Sequence, residues 1–485
     1  MYSLRIQISR GWGEYIFFAC LKISFLTQYS CSFSLYRLFC GFVIYKKTMK
    51  KLLIILCLLM SSVLMATTNI QHIQAKAYLD VDKGEFISPA VIVIADGVIQ
   101  SINPEEIPEE SILIDLSEHY VLPGLMDMHT HLDLDYVGNF DAIITQEAAT
   151  KGALRGAKNA ELTLMAGFTT VRNLGALHIT DELIGASLAQ AVDAGWIKGP
   201  RIIAAGHMIT ILGGHGDVTQ GLVPTLLDPT YKMGVVSGAD EALKAVRYQI
   251  KQGAKVIKMH ATSGVLSLED TVGAQQLSKE EMDVIVEEAK RHGYKVAAHA
   301  HGTEGIIAAI KAGAASIEHG SMVDKEAIKL MKEKGVYLVP TTGSDEFIFK
   351  DIDNMPPITR KKAEEIMPLA QENLRKAIKA GVKIALGTDS PLIPHGLNAK
   401  ELSAMTKHGM TNLQAIQSAT INSADLLGIK DIGEIKTGYK ADIIAVTNNP
   451  LEDIKTLQSV QFVMKAGVVY KNESNRGDGR DDINH

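Results

Sequence analysis

Between Val121 and Leu132 the chain reads VLPGLMDMHTHL, an apolar run that ends in Asp127-Met128-His129-Thr130-His131. In a strand, successive side chains alternate faces, so Asp127, His129 and His131 point the same way. Neutral imidazole is the commonest protein ligand for zinc and its neighbours, and two imidazoles at adjacent same-face positions are suited to a metal ion. A bare His-x-His also closes strands that bind nothing, so the rest of the chain must supply partners. Later apolar runs end in residues of the right type: Lys258 in AKVIKMHA, His299 in KVAAHAHG, His319 in AASIEHG and Asp389 in VKIALGTDS. Taken singly, Lys258 reads as a snorkelling lysine, either histidine as a satisfied strand end, and Asp389 as a helix N-cap. Taken together they point to one cation site, because ionisable side chains are rarely buried without partners. His301 shares a face with His299, and periodicity does not choose between them. His260, two residues after Lys258, stays open between substrate contact and packing.

These residues need a scaffold that brings strand ends together. Apolar strands are expected at 121–129, 167–173, 201–206, 254–261, 295–302, 314–320, 336–342 and 382–390, most of them separated by helical stretches such as KEEMDVIVEEAKRHG. Parallel-type strands alternating with helices give a (β/α)8 TIM barrel, whose chemistry sits at the C-terminal strand ends. A doubly wound open sheet is the alternative, and the placement of the polar residues favours the barrel. Short strands with turns fill Asn69 to Tyr120, including an Asp96-Gly97 hairpin signal, and the same character returns in TGYKADIIAVTNNP and VQFVMKAGVVYKN. The expectation is a small β-sandwich domain built from both ends of the chain, 67–120 with 431–475, around a barrel at 121–430, and a disordered tail at 476–485.

Met49-Lys50-Lys51 precedes the apolar run LLIILCLLM and a small residue at Ala66. This is the pattern of a signal peptide at 49–66, too short for a comfortable membrane span, with residues 1–48 read as an upstream, non-native extension. An exported, periplasmic or secreted protein is expected, with no stable membrane span after signal removal. All four cysteines, Cys20, Cys31, Cys40 and Cys57, precede residue 58, so thiolate ligands are excluded from the mature part and a metal must rest on His, carboxylate or a modified side chain. From residue 49 onward the chain carries 43 Lys/Arg against 54 Asp/Glu, a net of −11. That balance argues against a nucleic-acid partner. Homo-oligomerisation is left open.

The ordered set, with LMAGFTTVRNLG, GPRIIAAGHMITILGGHGD, SATINSADLLGI and GYKADIIAVTNNPLEDI, resembles the amidohydrolase superfamily, and within it the imidazolonepropionase-like and Xaa-Pro dipeptidase-like branch, over roughly Ala75 to Asn472. The resemblance implies two divalent metal ions, zinc by preference. His129, His131 and Asp389 would hold one, His299 and His319 the other, and a carboxylated Lys258 would bridge them. A lysine carbamate is anionic with two oxygens and spans metals about 3.5–4 Å apart. A hydroxide held by the metals would be the nucleophile, with Asp389 as proton shuttle. By the same resemblance His215, in the loop Gly213 to Asp217, polarises the substrate carbonyl, and His301 faces the substrate. Asn173 stands where many relatives carry Asp. Tyr231 and Arg247 are candidates to capture a substrate carboxylate, though Arg247 reads nearly as well as a helix-surface charge, and His395 is placed at the mouth. The implied reaction is hydrolysis of a small-molecule or dipeptide amide, Xaa-Pro or another C-terminal residue. Cyclic amides or N-acyl amino acid and ochratoxin-like conjugates form the alternative, and a non-catalytic exported binder the alternative of another class.

Overall fold

The computed structural model describes residues 70–136, 140–223 and 225–474. The expected upstream extension at 1–48, the expected signal peptide at 49–66 and the expected tail at 476–485 lie outside the described residues. No helix among the described residues is long and apolar enough to cross a membrane.

Both ends of the chain contribute to one β-unit. Strands Gln71–Asp80, Glu85–Ile87, Ala90–Ala95, Val98–Ile102 and Ile112–Pro123 join Ile443–Val446, Phe462–Lys465 and Val468–Asn472 in a single eight-stranded sheet. The small β-domain expected from both chain ends is continuous in hydrogen bonding, and its buried residues, among them Ile73, Ile92, Leu116, Val121, Ile443 and Phe462, pack as one apolar cluster. Its Ile112–Pro123 strand runs past residue 120 and pairs with Ile443–Val446, so the expected strand 121–129 is two elements broken at Gly124.

The core strands then follow in order: Leu125–Thr130, Phe168–Asn173 and Arg201–Ala204 form one parallel sheet, and Ile257–His260, Val296–Ala300, Ser316–His319 and Tyr337–Val339 another. The eighth segment, 382–390, is held without a ladder of its own, by single bridges Leu338↔Ile384 and Thr130↔Ser390. Backbone bonds cross the remaining seams, from Lys255 N to Ala204 O and from Met128 N to Leu386 O, both 2.8 Å. The alternation of strand and helix is as expected, but the ladder is not one unbroken ring. Left-handed backbone at Asp389 (φ 55°) and a tight fit around Gly387 explain the irregular eighth segment. A Cβ on Gly387 would lie 2.3 Å from Val339 Cγ1 and 2.8 Å from His129 Cβ, so only glycine lets this segment approach the first core strand.

Strand alternation sorts the side chains. Ile257, Met259, Val296, Ala298 and Ile317 face outward into a cluster with Met282, Ile285 and Ile306 of the surrounding helices, while Lys258, His260, His299 and Glu318 face inward. Helix signals are local: Ser278 and Glu281 form a capping box at Lys279–Arg291, and Gly313 and Gly335 close their helices in left-handed conformation.

Candidate metal centre

Three groups of ligand atoms gather around the C-terminal strand ends, His129, His131 and Asp389; His299, His301 and His319; and His215, His260 and His299, the last two sharing His299. Within each, the atoms lie within 4.8 Å of one another. The first core strand and the eighth segment are tied directly. Asp389 N donates to His129 O at 2.8 Å and His131 N to Ser390 O at 2.7 Å. Asp127, on the face of His129, does not join the ligand atoms. It is fully buried and accepts from Thr388 Oγ1 (2.6 Å), Asn398 Nδ2 (2.8 Å) and His129 N (3.1 Å), and so positions the pair.

The hydrogen bonds fix which imidazole nitrogens are free. His131 Nδ1 lies 3.0 Å from Gly175 O, and since a carbonyl only accepts, Nδ1 carries a proton and Nε2 is the nitrogen turned to the cluster. The same reasoning applies to His260, whose Nδ1 donates to His215 O. His319 Nδ1 lies 2.8 Å from Thr341 Oγ1, whose own proton goes to Pro340 O, so His319 also donates from Nδ1. His129 Nδ1 is held at 2.9 Å by Glu318 Oε2. The inward Nε2 atoms of His129 and His131 then both meet Asp389 Oδ1 at 3.3 Å, that of neutral His129 acceptor to acceptor, and His299 Nε2 is buried with no hydrogen-bond partner among the described residues. Lone pairs converging on a carboxylate, with an orphaned buried imidazole beside them, fit divalent cations well.

Electrostatics agree. Burial, with Lys258 beside it, depresses His129 to about 4. Burial likewise drives His299, His319 and His260 well below the ordinary histidine value and His215 to about 3, so these rings are neutral and ligand-competent. His131 is the exception: burial is outweighed by the hydrogen bond and charge of Asp389 and its pKa is raised, so its Nε2 must give up a proton to bind a cation. Burial would raise Asp389, but His129, His131 and His319 hold it well below the carboxylate range. Lys258 is 1% exposed, forms no ion pair among the described residues, and is lowered by burial to about 8 against the pull of Glu318 and Asp389. An amine with that value is substantially neutral near pH 8, the form that reacts with carbon dioxide.

Two supporting residues escaped the sequence reading. Arg172, 1% exposed, donates from Nε to Met128 O (2.6 Å), from Nη1 to Ser316 Oγ (2.9 Å) and from Nη2 to Glu318 Oε1 (2.8 Å). Glu318 would be raised by burial, yet Arg172 and His129 hold it at about 2. This buried pair spans three strands and presents His129 in the right tautomer. The sequence carried one signal for it, an Arg and a Glu at inward positions of apolar strands.

His215 joins the cluster, its ring 4.3 Å from His299 and 4.8 Å from His260, packed on Gly264, where a Cβ would lie 2.5 Å from the ring. His301 stacks on His319 at 4.9 Å and hydrogen-bonds Ser321 Oγ at 2.7 Å. Asn173 Oδ1 accepts Leu132 N at 2.7 Å and fixes the loop after His131. The remaining candidates are not brought to the cluster. Arg247 stands on the outer helix Ala239–Lys251, its Nε paired with Glu288 at 2.6 Å. Tyr231 packs edge-on against Tyr248 of that helix. His395 Nε2 donates to Leu134 O at 3.2 Å and braces a loop. None of these three lines the open cavity above the cluster, whose volume is about 100 Å3 and whose walls include His215, His301, His319 and Asp389 together with Ile348, Ile366, Met367, Leu374 and Leu392.

Comparison with known proteins accords with this geometry. The Amidohydrolase family pattern matches residues 120–470. Ochratoxinase of Aspergillus niger is 38% identical over 415 residues, covering 80% of this chain and 84% of the relative. An imidazolonepropionase of a Geobacillus species is 27% identical over 69% of this chain and 76% of its own. Among solved structures, a Xaa-Pro dipeptidase with methionine in its active site superposes with a TM-score of 0.79 at 41% identity, covering 83% of this chain and 100% of that one. The chain is a member of the amidohydrolase family, a hydrolase of carbon–nitrogen bonds.

Proposed function

We propose that the chain is a binuclear metal-dependent amidohydrolase that cleaves the amide of dipeptides or closely related N-acyl amino acids, on a barrel formed by the eight core segments. The observation that carries this reading is the convergence of the neutral imidazoles of His129, His299 and His319 with His131 and Asp389 near neutral-prone Lys258. His129, His131 and Asp389 would hold one cation, His299 and His319 the other, with carboxylated Lys258 between them. Zinc suits a set of nitrogen and oxygen donors without thiolate. When bound, the cations supply Lewis acidity and make water nucleophilic near neutral pH.

The chain's own groups do the rest. Asp389, held ionised, accepts the proton of the attacking water and returns it to the leaving amine nitrogen. His215 and His301, neutral at the cavity floor, orient the scissile carbonyl and stabilise the charge that develops on its oxygen. Glu318 and Arg172 keep His129 aligned. The apolar wall excludes water from the acyl or amine side chain. The relatives include an ochratoxinase, a Xaa-Pro dipeptidase and an imidazolonepropionase, which favours amides over esters and supports both dipeptides and larger conjugates as substrates. The apolar run after Met49 supports export, with the mature enzyme beginning after Ala66. A panel of dipeptides, N-acyl amino acids and cyclic amides, offered to the zinc-loaded chain in bicarbonate, tests the reading. Release of an amino acid from a restricted set is expected, and turnover of cyclic amides alone would replace it with the imidazolonepropionase-like alternative.

A further inference from the structure

The cavity wall opposite the histidines carries one charged side chain that the proposed chemistry does not use. Asp345 lies in the first turn of Ser344–Lys350, four residues after Thr341, the partner of His319. Its Oδ2 accepts from Gln371 Nε2 at 2.9 Å, while its other oxygen makes no hydrogen bond to a described residue. No described lysine, arginine or histidine forms an ion pair with it, and among the described residues neither lysine nor arginine lines the cavity. Around it the wall is apolar: Ile348, Ile366, Met367, Leu374 and Leu392. Burial pushes the carboxyl up to about 6, against the Gln371 hydrogen bond. It is therefore largely ionised at neutral pH, and its charge is kept in a partly apolar wall without a compensating cation. Such a charge is costly unless something pairs with it. Glu401, buried nearby, accepts Thr342 N and Gly343 N, and burial raises its pKa to about 8, so it is largely neutral at pH 7 and supplies no competing anion.

We propose that Asp345 determines specificity by receiving a cationic group of the substrate, an ammonium or guanidinium carried at the end of an aliphatic stem that lies along the Ile348, Ile366 and Met367 wall. The proposal rests on the amidohydrolase reading of the cavity and names the class of substrate it would prefer: amides of basic residues. The absence of a cation in the lining also explains why the cavity offers no clamp for a side-chain carboxylate.

The test compares L-lysine with L-norleucine, which differ essentially by the terminal ammonium, as ligands of the zinc-loaded protein in calorimetric titration. Lysine is expected to bind at least about tenfold more tightly, and Asp345→Asn to abolish that ratio while leaving norleucine affinity unchanged. Asp345→Ser provides a second variant with the same expectation should the first fold poorly. Equal affinities in the wild type, or a lysine preference that survives both substitutions, overturns the proposal. Nα-acetyl-lysine and Nε-acetyl-lysine locate the cation: dependence on Asp345 should persist with the first and vanish with the second, and the reverse overturns the placement of the stem. Amide hydrolysis measured on the same preparations separates the two readings. Asp345-dependent lysine binding without hydrolysis of any amide would sink the hydrolase reading alone, and hydrolysis without such binding would sink the subsite alone.

Discussion

At the scale of single residues the site depends on where protons sit. Lys258 is held near pKa 8 by burial, so carbamate formation should rise with pH through that value and with bicarbonate concentration. A carbon-13 carbamate signal that grows with labelled bicarbonate in the wild type and is absent from Lys258→Ala is expected. The same variant should lose both metals and activity, measured by elemental analysis and by amino acid release. Asp389→Asn keeps the donor oxygen but not the base. It should retain much of the metal while turnover falls roughly 10²–10⁴-fold, and near-normal turnover would remove Asp389 as the proton shuttle.

At the scale of elements, Glu318 links the strands that carry Arg172 and His129. Glu318→Gln leaves Arg172 buried without its counter-charge, and a loss of about 3–5 kcal/mol in chemical denaturation is expected. Metal affinity should also weaken, roughly 10–100-fold, because His129 loses its orienting carboxylate. On the outer helices Arg247 holds Glu288 down at about 2, with burial opposing and Arg291 assisting. The folded value lies below the unfolded one, so this pair stabilises the chain above the ordinary glutamate pKa and the contribution is lost as pH falls through about 2. Glu288→Gln should be modestly less stable than wild type at pH 7, since Arg247 and Arg291 stand in solvent, and the difference should shrink between pH 4 and pH 2. Elements were legible in the sequence to the extent that their periodicity was clean. The seven core strands appear within a few residues of expectation, because apolar inward and outward runs are long. His319 shows what pattern could not foresee: it follows inward Glu318, and strict alternation would turn it away, yet left-handed backbone at His319 (φ 67°) returns it to the cluster. Thr341, which binds it, and Asp389 share that conformation, so local strain gathers at the site. Arg247 illustrates the opposite limit, since residue type suited a substrate carboxylate but the helix face it occupies belongs to Glu288.

At the scale of the whole molecule, chain ends and centre are interdependent. Arg201 of the third core strand pairs with Asp442 beside the returning strands at 2.9 Å, and Ile443, Phe462 and Met464 complete the cluster begun by Ile73 and Ile92. Deleting residues 443–472 should therefore yield a chain without cooperative unfolding and without bound metal, read by circular dichroism and elemental analysis. The order of elements along the chain was readable from composition and turns, whereas the merging of terminal strands into one sheet depends on long-range pairing such as Ile443↔Pro123, which no local pattern records. On the proposed function, this histidine, lysine and aspartate cluster binds two metals and uses them to cleave amides. Metal content and amino acid release should be measured together on wild type and Lys258→Ala, in zinc and bicarbonate, across dipeptides and N-acyl amino acids. Two metals per chain with release from a restricted set, both lost in the variant, is the predicted result. Two metals per wild-type chain with no amide cleaved, or cleavage undiminished in the variant, would contradict it.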